Sequence, residues 1–401
     1  MTTNLAGQFL LDPDVVFLNH GSFGACPRPV FEDYQRWQLQ LERQPVAFLD
    51  SRRGLAKNLH AMREAMASEF GTSSENIAAV SNATTGLNIA LQSIPLGPGD
   101  EILTTDHEYS ALDKTLAFVA RRTGARVVRI DVPLPLTSAG RFHDAVAAGF
   151  NERTKVLFLS HITSPTALLF PVDSLIAEAR RRGIFSVIDG AHTPGHIPLD
   201  LDALGADFYS GNCHKWLMSP KGSAFLHVRP ELQSMIDPLV ISHGWTADNK
   251  APGVRGPFGN SPFVDEIEMQ GTRDPAAWLA IPAAIAFRRE HDWWSVAADC
   301  RRLAQETLAR MVERTGLKPL SSPEFCAPQM VSIPLPACDT EAIKTLLLER
   351  YRIEIPVFAW KDHHIARLSC QGYNRRSQMD VLVDALTELL ALEGPLQRRE
   401  A

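Results

Sequence analysis

Lys215 stands in the stretch "SGNCHKWLMSPKGSAFLHV" (210–228), directly after His214 and between two apolar runs. Lysine is rarely buried without a partner, so the ordinary reading is a solvated residue on a turn between strands. The other reading is an amine set to form an imine with a carbonyl, which consumes its charge. Further chemistry-bearing residues also follow short apolar runs. Asp189 comes straight off "FSVID" and precedes Gly190 and His192 in "DGAHTPGH". A carboxylate there either caps a turn or needs a cation. Asn82, Ala83, Thr84 and Thr85 open a helical pattern after "IAAVS", where free N–H groups and hydroxyls serve an ordinary cap or a phosphate. In "DHEYSA" (106–111), His107 and Tyr109 can stack on a planar ligand or pass a proton, and a structural histidine fits equally well. His161, Thr163, Ser164 and Thr166 in "HITSPT" offer hydrogen bonds to a ring substituent, or simple turn chemistry.

These residues need a scaffold that brings them together. From about 75 to 230 the runs "NIAAVSN", "DEILTTD", "ARVVRIDV", "KVLFLSH", "IFSVIDG", "ADFYSG" and "GSAFLHV" alternate with helical patterns such as "DSLIAEARRRG" (173–183). Apolar strands alternating with helices predict an α/β fold with a mainly parallel central sheet flanked by helices. Ligands in such sheets sit beyond the carboxyl ends of the strands, where the residues above fall. After "GTRDP" (271–275) the pattern becomes α+β: long helix interrupted near Pro282 and at "HDWW", then "QMVSIPL", "TEAIKTLLLERYR", "IARLSC" and a final helix over 377–393. A chain of 401 residues exceeds what one core usually serves. The expected division is an N-terminal segment at the active-site edge (1–24), a large domain (25–274) and a small C-terminal α+β domain (275–401).

The net charge of −6 is modest, and the basic pairs and triplets suit helix ends, so nucleic acid is not an expected partner. The N-terminus lacks a signal-peptide pattern, and the most apolar later segment, 276–287, is too short to span a bilayer and contains proline. Six cysteines without CxxC spacing read as reduced thiols, and no metal site is expected. The expectation is a cytoplasmic protein with no membrane partner.

A phosphate cradle, a stacking ring, an aspartate and a lysine on adjacent strand ends are the groups that pyridoxal 5'-phosphate (PLP) requires. At this point the sequence resembles the class V aminotransferase-like, fold-type I PLP-dependent enzymes, over nearly its whole length. "DFYSGNCHKWLMSPKG" is similar to the family's lysine motif, which implies Lys215 as the Schiff-base lysine and Asn212 and His214 as phosphate contacts. "DGAH" implies Asp189 at the pyridine nitrogen and His192 on the phenolic side of the ring. Ala83, Thr84, His107 and Ser164 complete the implied cofactor set, Ser164 standing where the family usually has asparagine. "GTRDPAA" (271–277) resembles the Gly-Thr motif that reaches a neighbouring subunit's phosphate, so Gly271 and Thr272 imply a homodimer with shared sites. "ARLSCQGYN" (366–374) implies Arg367 as the clamp on a substrate α-carboxylate.

"FLNHGSFGACPRPV", "TDHEYSAL" and "SPTALLFPV" are similar to the isopenicillin N epimerase group in particular. That likeness implies an amino-acid substrate touched by Asn19, His20 and Tyr109, with Lys215 and Asp189 catalytic and His107, Tyr109 or His20 as a second proton donor. Epimerisation at Cα is the first expectation. The alternatives are β-elimination by a C–S lyase acting on a cysteine conjugate, an aminotransferase, and a catalytically silent binding protein of the same fold. The complete Lys215, Asp189 and Arg367 set argues against silence. Desulfurase chemistry is disfavoured, because Cys326, Cys338 and Cys370 do not match that group's mobile cysteine.

Overall fold

The computed structural model describes residues 5–247 and 253–397. A two-residue strand, β1 (Val16–Phe17), precedes helices over Arg28–Arg43, Pro45–Leu49 and Ala56–Phe70. The seven apolar runs all form strands: β2 (Ile77–Val80), β3 (Glu101–Thr105), β4 (Arg126–Ile130), β5 (Thr154–Ser160), β6 (Phe185–Gly190), β7 (Phe208–Asn212) and β8 (Ala224–Val228). They make one sheet in the order β2-β8-β7-β6-β5-β3-β4. Alternate residues of each strand enter two separate apolar clusters: Ala79, Leu157 and Tyr209 lie in one, Ala78, Val156 and Phe208 in the other. Burial on both faces is what makes these strands read as continuous apolar runs. The edge strand β4 differs. Its Arg126 and Arg129 pair with Glu101 and Asp113, a charged edge of the kind that resists pairing with another chain.

Strand β8 runs antiparallel to both β7 and β2, while β3 to β7 pair in parallel. The cause is the length of the connection. A parallel return needs a crossover of about a dozen residues or more, and segment 213–223 is too short. It therefore folds as a compact loop at the carboxyl edge of the sheet, and Lys215 lies within it.

Beyond residue 275 the long helical stretch breaks as the sequence suggests, into Ala276–Leu279, Ile281–Glu290 and Trp293–Thr315. Strands β9 (Met330–Leu335), β10 (Ile353–Glu354), β11 (Val357–Trp360) and β12 (His363–Ser369) follow. An antiparallel sheet β11-β12-β9 forms, packed by helices Trp293–Thr315 and Thr340–Tyr351. β10 pairs in parallel with β1. The N-terminal segment is thus tied to the C-terminal part of the chain, a pairing the sequence does not announce. Among the described residues no helix is long and apolar enough to cross a membrane.

Candidate active site

The parallel strands deliver their carboxyl ends to one edge, where a cavity of about 270 Å³ opens. That is close to the lower end of the ~300–1,000 Å³ usual for ligand sites. β6 contributes Asp189 and the turn after it His192, β7 contributes Asn212, and the loop after that contributes His214 and Lys215. Ala83 and Thr84 come from the helix after β2, Tyr109 from beyond β3 and Ser164 from beyond β5. The N-terminal segment adds Ser22 and Phe23. Gly24 lets that segment sit close: its φ is +71°, and a Cβ there would fall 2.0 Å from the His214 carbonyl oxygen.

Lys215 Nζ lies 3.0 Å from His192 Nε2. Burial, with Arg367 nearby, lowers the Lys215 amine to about 7, Asp189 opposing. Burial raises Asp189 to about 6, against the Ala191 N–H and Lys215. The Ala191 N–H donates to Asp189 Oδ1 at 2.8 Å. No partner occupies the other carboxylate oxygen among the described residues, and the side chain faces the cavity. A carboxylate so desolvated fits a ring nitrogen that can carry a proton.

The phosphate end fits as well. Asn82 caps the helix Ala83–Ser93 by accepting from the Thr85 N–H at 2.8 Å, and Asn212 Oδ1 accepts from the Ala83 N–H at 2.8 Å. The Thr84 N–H and hydroxyl are left facing the cavity at a helix N-terminus. His214 donates through Nδ1 to the Ser223 carbonyl at 3.1 Å, which leaves Nε2 for a ligand. Burial, then Lys215, lowers the His214 ring to about 4. The residues present therefore suit PLP at both ends.

Arg367, on the central strand β12, borders the cavity through Ser22 and Ser164. It donates from Nη1 to Ser164 O at 2.5 Å and to Ser164 Oγ at 3.2 Å, and from Nη2 to Ser22 Oγ at 3.0 Å. Both serines line the cavity, so a carboxylate can take the place of their hydroxyls.

Several expectations are corrected by the geometry. His107 does not reach the cavity. It is fully buried, Nδ1 bonded to Thr166 Oγ1 at 2.7 Å and the ring against Trp360. Tyr109, two residues on and 42% exposed, presents its ring there instead. His20 is also sealed, between Tyr373 Oη and the Lys215 carbonyl, each at 3.0 Å. Asn19 turns away to Glu354 and accepts from Ser22 Oγ at 2.5 Å, so its contact with the site runs through Ser22. Gly271 and Thr272 line a different cavity, of about 540 Å³, beside Arg52 and Arg273. His161, Thr163 and Thr166 are buried in hydrogen bonds of their own.

Sequence reasoning passed over Glu108. It is buried, accepting from Ser160 N–H at 2.9 Å, Ser160 Oγ at 2.6 Å and Thr105 Oγ1 at 2.7 Å. Burial, reinforced by the charge of Asp189, raises it to about 8. A proton on Oε1 is compatible with this network, since the Thr105 hydroxyl can accept as well as donate. A carboxyl raised above its unfolded value contributes stability below that value and loses it as pH rises through the folded one. The contribution of Glu108 to the stability of cofactor-free protein should therefore be lost between about pH 4.5 and 8. Glu108→Gln should flatten that loss, as read by urea unfolding at pH 6 and pH 8. An undiminished slope in the variant would contradict the assignment.

The class-V aminotransferase family model matches residues 26–381. The chain belongs to the class-V aminotransferase family. It is 36% identical to the isopenicillin N epimerase of Amycolatopsis lactamdurans, covering 96% of this chain and 98% of that protein. It is 29% identical to a probable chloroplastic L-cysteine desulfhydrase of Arabidopsis thaliana, over 94% and 84% of the two chains. The structure matches a mutant of C-DES carrying glycine covalently linked to its PLP cofactor. The TM-score is 0.81 at 21% identity, covering 96% of this chain and 99% of that one, a likeness of fold. This class-V chain is a PLP-dependent enzyme of fold type I.

Proposed function

We propose that the enzyme inverts the Cα centre of an amino-acid substrate. The observation that carries this reading is the placement of two proton-bearing groups on opposite flanks of one cavity. Lys215 enters beyond β7 and Tyr109 beyond β3, while Asp189 on β6 lies between them in the sheet order. PLP, when bound, supplies a conjugated ring that accepts the electron pair left at Cα. Asp189 holds a proton at the ring nitrogen, and Thr84, Asn212 and His214 hold the phosphate. His192 donates from Nε2 on the phenolic side, while Arg367 and the Ser164 hydroxyl orient the substrate carboxylate. Lys215 Nζ takes the Cα proton from one side, and Tyr109 Oη returns one from the other.

Tyr109→Phe tests this directly. Exchange of the α-proton with solvent should persist from one enantiomer, while interconversion of the enantiomers falls by roughly 10²–10⁴-fold. Inversion at the wild-type rate in the variant would sink the two-sided reading.

A second reading, β-elimination from a cysteine conjugate, is supported by the relatives named desulfhydrases and uses Tyr109 to protonate the leaving sulfur. Among the described residues no cysteine lines the cavity, which speaks against a sulfur-accepting thiol. The three-part division at 24/25 and 274/275 is kept in this reading: Ser22 and Lys215 reach the cavity from the first two parts, and Arg367 of the third bonds to its lining serines. We also infer a homodimer. Exposed Leu239, Val240, Ile241 and Trp245 offer apolar surface, and Gly271 and Thr272 stand outside this chain's own cavity, free for a partner's phosphate. Sedimentation as a monomer would contradict it. The six cysteines are all free thiols, which supports a cytoplasmic setting.

A further inference from the structure

Trp216 follows the reactive lysine but takes no part in the cavity wall. It is fully buried, with its ring stacked on His196 at 3.9 Å and its carbonyl accepting from Arg288 Nη1 at 3.0 Å. Its indole Nε1–H donates to His192 Nδ1 at 3.3 Å. An indole nitrogen can only donate, so His192 Nδ1 must accept, and a neutral His192 then carries its proton on Nε2. That Nε2–H lies 3.0 Å from Lys215 Nζ. A donor aimed at nitrogen needs a lone pair there, which a free amine has and an ammonium lacks.

We propose that Trp216 sets the charge of Lys215: by fixing His192 in its Nε2–H form, it stores the lysine as a free amine before the cofactor arrives. This rests on the reading of Lys215 as the amine that captures the cofactor. The stored amine reacts with an aldehyde without first shedding a proton to solvent. The other charged or titratable groups facing the pair are Arg367 and Asp189 toward Lys215, and Arg367, His196 and His214 toward His192. Arg367 favours the free amine and Asp189 the ammonium. Burial holds His192 well below its usual range, which keeps the ring neutral. In the opposite tautomer a lone pair on Nε2 would face Lys215 and favour the ammonium. Losing the indole donor should therefore raise the lysine.

The test uses apoenzyme mixed with PLP, with the capture rate followed by absorbance across pH. Wild-type protein should show a midpoint near 7. Trp216→Phe keeps the aromatic stack without the donor. Its midpoint should move up by about one unit, with a capture rate at pH 7 about fivefold lower and an unchanged plateau at high pH. A purely structural role would lower the melting temperature and leave the midpoint in place, and that result would overturn the proposal. Nitrogen-15 NMR of histidine-labelled wild-type apoenzyme, assigned with His192→Gln, gives a reading even if Trp216→Phe does not fold. A neutral His192 protonated on Nε2 supports the proposal; Nδ1–H or a doubly protonated ring overturns it. Failure of the underlying reading would look different: Lys215→Ala would then capture PLP with wild-type kinetics.

Discussion

Lys215→Ala is expected to reduce turnover to below roughly 10⁻⁴ of the wild-type rate, since one side chain serves as both covalent anchor and base. The protein should stay folded. The lysine side chain touches His192 across the cavity, and its removal leaves the His192 N–H facing space that water can enter. The absorbance of covalently held PLP should vanish while circular dichroism and melting change little. A normal absorbance band in the variant would remove Lys215 from its role.

Asp189→Asn should separate stability from activity. The amide keeps the shape of the side chain and can still accept from the Ala191 N–H, but it has no charge to hold a proton on a ring nitrogen. Exchange of the substrate α-proton should fall by roughly 10²–10⁴-fold. Stability of the cofactor-free protein should rise. Asp189 is raised to about 6, so its carboxylate costs the fold increasingly as pH climbs through that value. At neutral pH the gain on removing it is on the order of 1–3 kcal/mol. A group that lowers stability and is needed for turnover is held for its chemistry. If exchange continued at the wild-type rate, Asp189 would be a structural cap and the cofactor assignment would lose its acid partner.

The scaffold was largely legible because the relevant signals are local. β2 to β8 read as apolar runs, and the breaks near Pro282 and at His291–Asp292 follow from local chain chemistry. The reversed direction of β8 was legible in principle too, since the loop before it is too short for a crossover. The β1–β10 pairing was not, because two-residue strands far apart in sequence leave no periodicity to read, and the four residues of β11 leave little more. In the site, Lys215, Asp189, Asn212 and His214 lie where strand ends must place them. The side chains that failed expectation all depend on direction rather than position. His107 and Tyr109 are two residues apart at a turn, and only packing against Trp360 decides which faces inward. His20 has the right composition for proton transfer, yet Tyr373 and the Lys215 carbonyl occupy both its nitrogens. Glu108 and Trp216 act through neighbours distant in sequence, which no local motif displays.

The most direct measurement is proton NMR in D₂O of the PLP-loaded enzyme with L- and D-amino acids and cysteine conjugates, followed by chiral analysis. Action at Cα with inversion predicts loss of the α-proton signal, an otherwise intact molecule, and appearance of the other enantiomer. Release of pyruvate and a sulfur product without inversion, or retention of the α-proton across the whole panel, would contradict it.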